Sequence, residues 1–132
     1  MNTLNGIVES VTVKKSLSLV KVKAGPFLLT TIVIDTPDSS PYLKSGNPVH
    51  VIFKETEVII GKGNNHQISL QNKIKGTIET IESGELLSKV SLDTEVGKIV
   101  SVITTNAVNQ LQLEIGAEVT AMVKTNEVML AE

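Results

Sequence analysis

An offset of 70 residues that runs through the chain without a gap, together with short β-branched runs of period two, predicts an all-β fold. The expected architecture is two tandem OB-like five-stranded Greek-key barrels, each with one short helix. Gly6 answers to Gly76, Leu17-Ser18 to Leu87-Ser88, Val20 to Val90, Leu43 to Leu113 and Gly46 to Gly116. Val49 answers to Val119, Lys54 to Lys124, and Glu57-Val58 to Glu127-Val128. Most other pairs are conservative, such as Val8 with Ile78 and Ile32 with Val102. Two copies of one folding unit explain this, and a feature of one copy can be tested against the other.

The elements follow in order. Ile7 to Val13 reads as a strand, Lys14-Lys15-Ser16 as a turn, and Leu17 to Val22, which alternates, as the partner strand. Phe27 to Ile34 is a third strand, rich in Thr and apolar residues. Val49 to Phe53 and Glu57 to Ile60 are expected to close the unit as strands four and five. The second copy repeats the pattern with Gly76 to Ile81, Leu86 to Leu92, Lys98 to Thr104, Glu118 to Val123 and Glu127 to Leu130. Between strands three and four, Thr105 to Leu111 suits one or two helical turns, with Thr105 or Asn106 as N-cap. The first copy has Pro37 to Leu43 there, kept short by Pro37 and Pro41. Gly46 and Gly116 end these turns as C′ glycines do. The boundaries are residues 1–61 for the first unit, a Gly/Asn-rich linker at 62–66, and 67–132 for the second.

Each unit of about 60 residues is marginal alone, so the copies gain by packing on each other or by oligomerising. There is no cysteine, which excludes disulfides, thiolate chemistry and Cys-based zinc sites. The two histidines, His50 and His66, lack ligand spacing. Gly61-Lys62-Gly63 is too short to cradle a phosphate. Asp93 and Glu95 fall on polar turns rather than in a catalytic pair. No enzyme is expected. A formal charge of −2 and only three aromatic residues, Phe27, Tyr42 and Phe53, argue against nucleic acid, which needs a basic groove and stacking platforms. No apolar run approaches the ~18 residues of a membrane span. The N-terminal sequence lacks the charged and apolar regions of a signal peptide, so the cytoplasm is the expected compartment.

What remains is a set of hydroxyl, amide and amine donors where copies begin and strands end. Ser69 and Gln71 precede the first strand of copy two, Thr104-Thr105 end its third, and Lys124-Thr125 end its fourth. Such groups hold an oxyanion, the hydroxyls and amides giving direction and the lysine charge. A tetrahedral dianion needs donors from several sides, which a neighbouring copy or subunit can supply.

The second copy, from His66 to Glu132, resembles the Mop domain of the molbindins. That pattern is Ser-Ala-Arg-Asn before a strand-opening Gly, an Ile-Thr strand end, a Leu-x-Leu-x-x-Gly turn and a Val-Lys-[Ala/Ser/Thr]-x-x-Val tail. This chain has Ser69-Leu70-Gln71-Asn72 with Gly76, then Ile103-Thr104, Leu111-Gln112-Leu113-Glu114-Ile115-Gly116 and Val123-Lys124-Thr125-Asn126-Glu127-Val128. The first copy matches through Gly6, Leu43, Gly46, Lys54 and Val58, so the whole looks like a tandem Mop protein. The resemblance implies a chain that binds molybdate or tungstate for storage and homeostasis and self-associates as a homotrimer. It implies an oxyanion held through its oxygens, with no direct metal ligand, by Ser69, Gln71, Thr104, Lys124 and Thr125, with Lys54 contributing. A molybdate-sensing domain of a regulator or transporter, and a scaffold that has lost its ligand, are the alternatives. The departures are specific. Gln71 replaces the family Arg, and in the first copy Ile34 stands for the Thr and Glu55 for the small residue after the lysine. Ile34 cannot donate and Glu55 repels a dianion, so the first copy is expected to be mainly structural.

Overall fold

The computed structural model describes residues 1–132. The first copy contributes strands β1 (Asn2–Lys14), β2 (Leu17–Ala24), β3 (Phe27–Val33), β4 (Pro48–Phe53) and β5 (Ile59–Lys62). The second contributes β6 (Asn72–Ser83), β7 (Leu87–Thr94), β8 (Gly97–Thr104), β9 (Glu118–Val123) and β10 (Met129–Ala131). The helix α1 (Thr105–Gln110) lies between β8 and β9. Its N-cap is Thr104, one residue earlier than expected, whose hydroxyl accepts from the Ala107 N–H. The first copy has turns instead of a helix over the matching stretch, a departure from one helix per barrel. Pro41 supplies no N–H there, and a single Ser40 N–H to Thr36 carbonyl bond of 2.8 Å closes one turn.

The two sheets are not built from contiguous halves. Their strand orders are β10-β4-β1-β2-β3 and β5-β9-β6-β7-β8. The fifth strand of each copy therefore completes the sheet of the other. Ile60 of β5 pairs with Ala121 of β9, and Leu130 of β10 pairs with Val51 of β4. This corrects the expectation that Glu57 to Ile60 closes its own unit. A 3₁₀ turn, Glu55–Glu57 in one copy and Thr125–Glu127 in the other, carries the chain across. The exchange keeps the offset of 70, because Ile59 and Met129 meet Met122 and Ile52 respectively.

Alternation along β1 and β2 buries Leu4, Val8, Val20 and Val22 on one face, as the period-two pattern requires. A single apolar cluster runs through both barrels. Apart from Ala24, Ile60 and Val108, its buried members pair across the offset, for instance Leu29 with Ile99 and Phe53 with Val123. Gly46 and Gly116 take φ of +93° and +91°, a conformation that favours glycine. Each then donates its N–H to the β1 or β6 bulge, at the Val8 and Ile78 carbonyls, both at 2.8 Å. Gly6 and Gly76 answer to close packing rather than to backbone conformation. They lie within strands, where a Cβ would strike Val22 in one case and sit 2.9 Å from Thr94 in the other.

Candidate functional site

Each fourth strand ends at a lysine that starts a 3₁₀ turn. Lys54 has φ −76° and ψ 146°, and Lys124 has φ −70° and ψ 144°, so one backbone geometry presents both amines. Both side chains are exposed, and neither amine has a hydrogen-bond or ion-pair partner in the chain. Antiparallel register supplies their neighbours. Asn72 pairs with Val123, which puts Gln71 opposite Lys124 at the next position. Asn2 pairs with Phe53, which puts Met1 opposite Lys54.

The two corners differ in chemistry. At Lys124 stand the exposed Gln71 and the half-buried Thr125, with the exposed Ser69 two residues upstream of Gln71. None of these side chains is committed elsewhere, so all remain available as donors. At Lys54 the place of Thr125 is taken by Glu55, whose Oε2 lies 3.0 Å from the Met1 amine. The Glu55 carboxyl is held below its ordinary value, first by its own backbone N–H and then by that amine, with Lys89 adding a smaller attraction.

Thr104 does not join the Lys124 corner within one chain. It ends β8, and β8 packs against the 3₁₀ turn of the first copy, where the Ser101 hydroxyl donates to the Val58 carbonyl at 2.8 Å. The Lys124 turn instead packs on β3 of the first copy. There the Thr31 hydroxyl donates to the carbonyls of Val128 at 2.7 Å and Thr125 at 3.3 Å. Each lysine corner thus faces the third strand of the other copy. Lys54 shares its side of the molecule with β8 and Thr104, while Lys124 shares its side with β3 and Ile34. Ile34 is 81 % exposed and has no donor. The Thr104 hydroxyl accepts from Ala107 N–H at 3.0 Å and keeps its own hydrogen for a further acceptor. Thr105 is spent locally, donating to Gly84 O and bonding Ser88 Oγ, both at 2.8 Å.

Sequence reasoning missed the residues that hold these corners in place. Asn2 and Asn72 are 5 % and 3 % exposed. The Asn72 amide donates to the Thr30 carbonyl at 2.8 Å and accepts the Thr30 N–H at 2.6 Å. Asn2 does the same to Val100, at 2.8 Å in both directions. Each amide thereby imitates a strand partner and locks the start of one copy to the third strand of the other. Asn72 follows Gln71 directly, so its clasp also orients the donor segment. The available signal was the identity of Asn2 and Asn72 across the offset.

None of the six expected donors lines any of three cavities of about 440, 500 and 450 Å³. Five of them are exposed and Thr125 is half-buried. No group of three or more His, Asp or Glu side chains is placed to hold a metal ion.

Residues 68–130 match the TOBE domain family. Molybdenum-pterin-binding protein MopB of Rhodobacter capsulatus is 30 % identical over 105 residues, covering 78 % of this chain and 39 % of that protein. The chain thus spans well under half the length of that relative. Molybdenum-pterin-binding protein 2 of Clostridium pasteurianum is 38 % identical over 64 residues, covering 48 % of this chain and 94 % of that protein. Among solved structures, the cytoplasmic molybdate-binding protein ModG, with molybdate bound, superimposes with a TM-score of 0.91 at 28 % identity. That match covers 98 % of this chain and 94 % of ModG, so it extends through both barrels. Near-complete coverage of the Clostridium protein by one half, and the same unit repeated in the other half, place the chain in the family of molybdenum-pterin-binding proteins.

Proposed function

We propose that this chain binds molybdate or tungstate in the cytoplasm, as an oxyanion store, without chemistry on the bound anion. The observation that carries this reading is the Lys124 corner, where an amine without an internal partner stands opposite Gln71 and next to Thr125, with Ser69 two residues upstream of Gln71. The ammonium supplies charge that a chain of net −2 does not supply globally, and the neutral donors supply direction. Because the corner is open on one side, further donors come from another subunit, and Thr104 is the donor suited to that part. The likeness to ModG, whose structure holds molybdate, supports the choice of anion.

The same reading makes the protein a homotrimer. Leu17, Leu28, Ile32 and Ile34 are all exposed, on β2 and β3 or directly after them. At the matching places the second copy has Leu87, Lys98, Val102 and Thr104. Exposed apolar side chains on neighbouring strands, such as Ile32 paired with the half-buried Leu19, are covered in solution by another subunit. Calorimetry with molybdate, tungstate and sulfate, run beside sedimentation, tests both parts. Binding of molybdate or tungstate in preference to sulfate, by a trimer, is expected. A stable monomer at micromolar concentration removes the trimer, and no heat with either metal oxyanion removes the function.

A further inference from the structure

The segment joining the copies is folded down as a strap over the outer face of β6 and β9. The Thr120 hydroxyl donates to the Gly63 carbonyl at 2.7 Å, the Gly63 N–H donates to the Glu118 carbonyl at 3.0 Å, and the Lys73 amine donates to the His66 carbonyl at 2.6 Å. The His66 ring lies on β5 where Gly61 leaves room. A Cβ at position 61 would stand 2.8 Å from ring atoms of His66. Beneath the strap is a cavity of about 450 Å³ whose walls include Phe27, Asn64, His66, Gln67, Lys73 and Lys75.

These walls carry donors and no carboxylate. Lys75 is exposed and takes part in no hydrogen bond or ion pair. Lys73 uses one of its three N–H groups on the His66 carbonyl and keeps two. Nε2 of His66 is buried without a partner. Asp93, Glu95 and Glu118 line an adjoining cavity that shares Asn64 and Lys75, but none of them pairs with the Lys75 amine. The first copy has Thr3 and Asn5 in place of Lys73 and Lys75, so the cationic face belongs to the second copy alone.

We propose that this cavity is a second anion site, separate from the Lys124 corner, which takes a phosphate group either free or esterified to a small planar molecule. Two ammonium groups and the side-chain amides of Asn64 and Gln67 match the several acceptor oxygens of a phosphate. The cavity is larger than a lone tetrahedral anion needs, and Phe27 gives the excess volume an aromatic wall. The site does not depend on the reading of the Lys124 corner, because the two share no residue.

The test is a nuclear magnetic resonance titration of the full chain at constant ionic strength, with inorganic phosphate and phenyl phosphate as probes. Expected are saturable shifts of the His66 ring and of the backbone amides of Asn64 to Gln67 with one or both probes. Lys75→Gln should weaken that binding about tenfold, the loss of one charge-assisted hydrogen bond, while Lys124→Ala leaves it unchanged. Tighter binding of phenyl phosphate, with shifts at Phe27, assigns the site to an ester, and equal affinities assign it to the free ion. Shifts confined to the Lys124 corner, or undiminished affinity in Lys75→Gln with a native spectrum, overturn the proposal.

Discussion

Replacing Asn72 by alanine removes an amide that makes two hydrogen bonds across the seam between the copies. Its partners are the N–H and the carbonyl of Thr30, at 2.6 and 2.8 Å, and Thr30 is itself buried. Alanine satisfies neither, so both backbone groups are left buried without partners. Each such group costs about 1–3 kcal/mol, and together they amount to about 2–5 kcal/mol once some water entry is allowed. For a chain of this size one kcal/mol moves the melting temperature by about 4 °C, so a fall of about 8–20 °C is expected. The measurements are calorimetry and urea unfolding at one fixed protein concentration, because self-association contributes to apparent stability. Asn2→Ala, which strips the same clasp from Val100, should fall in the same direction. Asn72→Asp should not rescue, since it keeps an acceptor for the Thr30 N–H but loses the donor to the Thr30 carbonyl and buries a charge. A loss below about 0.5 kcal/mol for Asn72→Ala, with an unchanged urea slope, would show that water replaces the amide and that the clasp does not hold the copies together.

Three further outcomes are expected. Lys124→Ala should weaken molybdate binding at least about tenfold, and Lys54→Ala should weaken it less, because Glu55 stands beside Lys54 where Thr125 stands beside Lys124; equal losses by calorimetry would refute the asymmetry of the corners. Gln71→Arg should tighten molybdate binding and make it more sensitive to salt, since a guanidinium adds charge and a fork of donors opposite Lys124; an unchanged affinity would mean that residue 71 does not face the anion. Ser18→Ala should be neutral or stabilising by about 1 kcal/mol, because the Ser18 hydroxyl is buried without a partner, whereas Ser88→Ala should destabilise by about 1–2 kcal/mol. The Ser88 hydroxyl bonds both Ser83 and Thr105 at 2.8 Å, and Val13 and Asp35 stand at those places in the first copy. Urea unfolding of the two serine variants decides, and equal losses would count against the difference.

Much of the architecture was legible because it is local. Period two along Leu17 to Val22 records which face of a strand is buried, and a residue carries that information whatever its strand pairs with, although the first strand begins at Asn2, five residues before the Ile7 expected. The offset of 70 likewise foretold that Leu43 and Leu113, or Val58 and Val128, would occupy equivalent places in the core. The lysines at positions 54 and 124 were legible as a pair for the same reason, and their matching turns follow from matching sequence.

Partner choice was not legible, and the repeat itself is the reason. Strand β5 can pair with Val49-His50-Val51-Ile52-Phe53 of its own copy or with Val119-Thr120-Ala121-Met122-Val123 of the other, and both offer the same alternation of apolar residues. Nothing in the periodicity separates two partners that are copies of each other. The 3₁₀ turns decide, by directing each chain end across the seam, where Thr31 and Ser101 hold the Val128 and Val58 carbonyls. The same crossing sorts the donors. Thr104 and Lys124 belong to one copy by sequence, but the exchange sets each lysine corner against the third strand of the opposite copy. A burial pattern states only that a residue is inside. Asn72 looked like one more polar residue at a strand start until the fold placed the Thr30 backbone opposite its amide, since hydrogen-bond geometry between segments 42 residues apart exists only once both are folded.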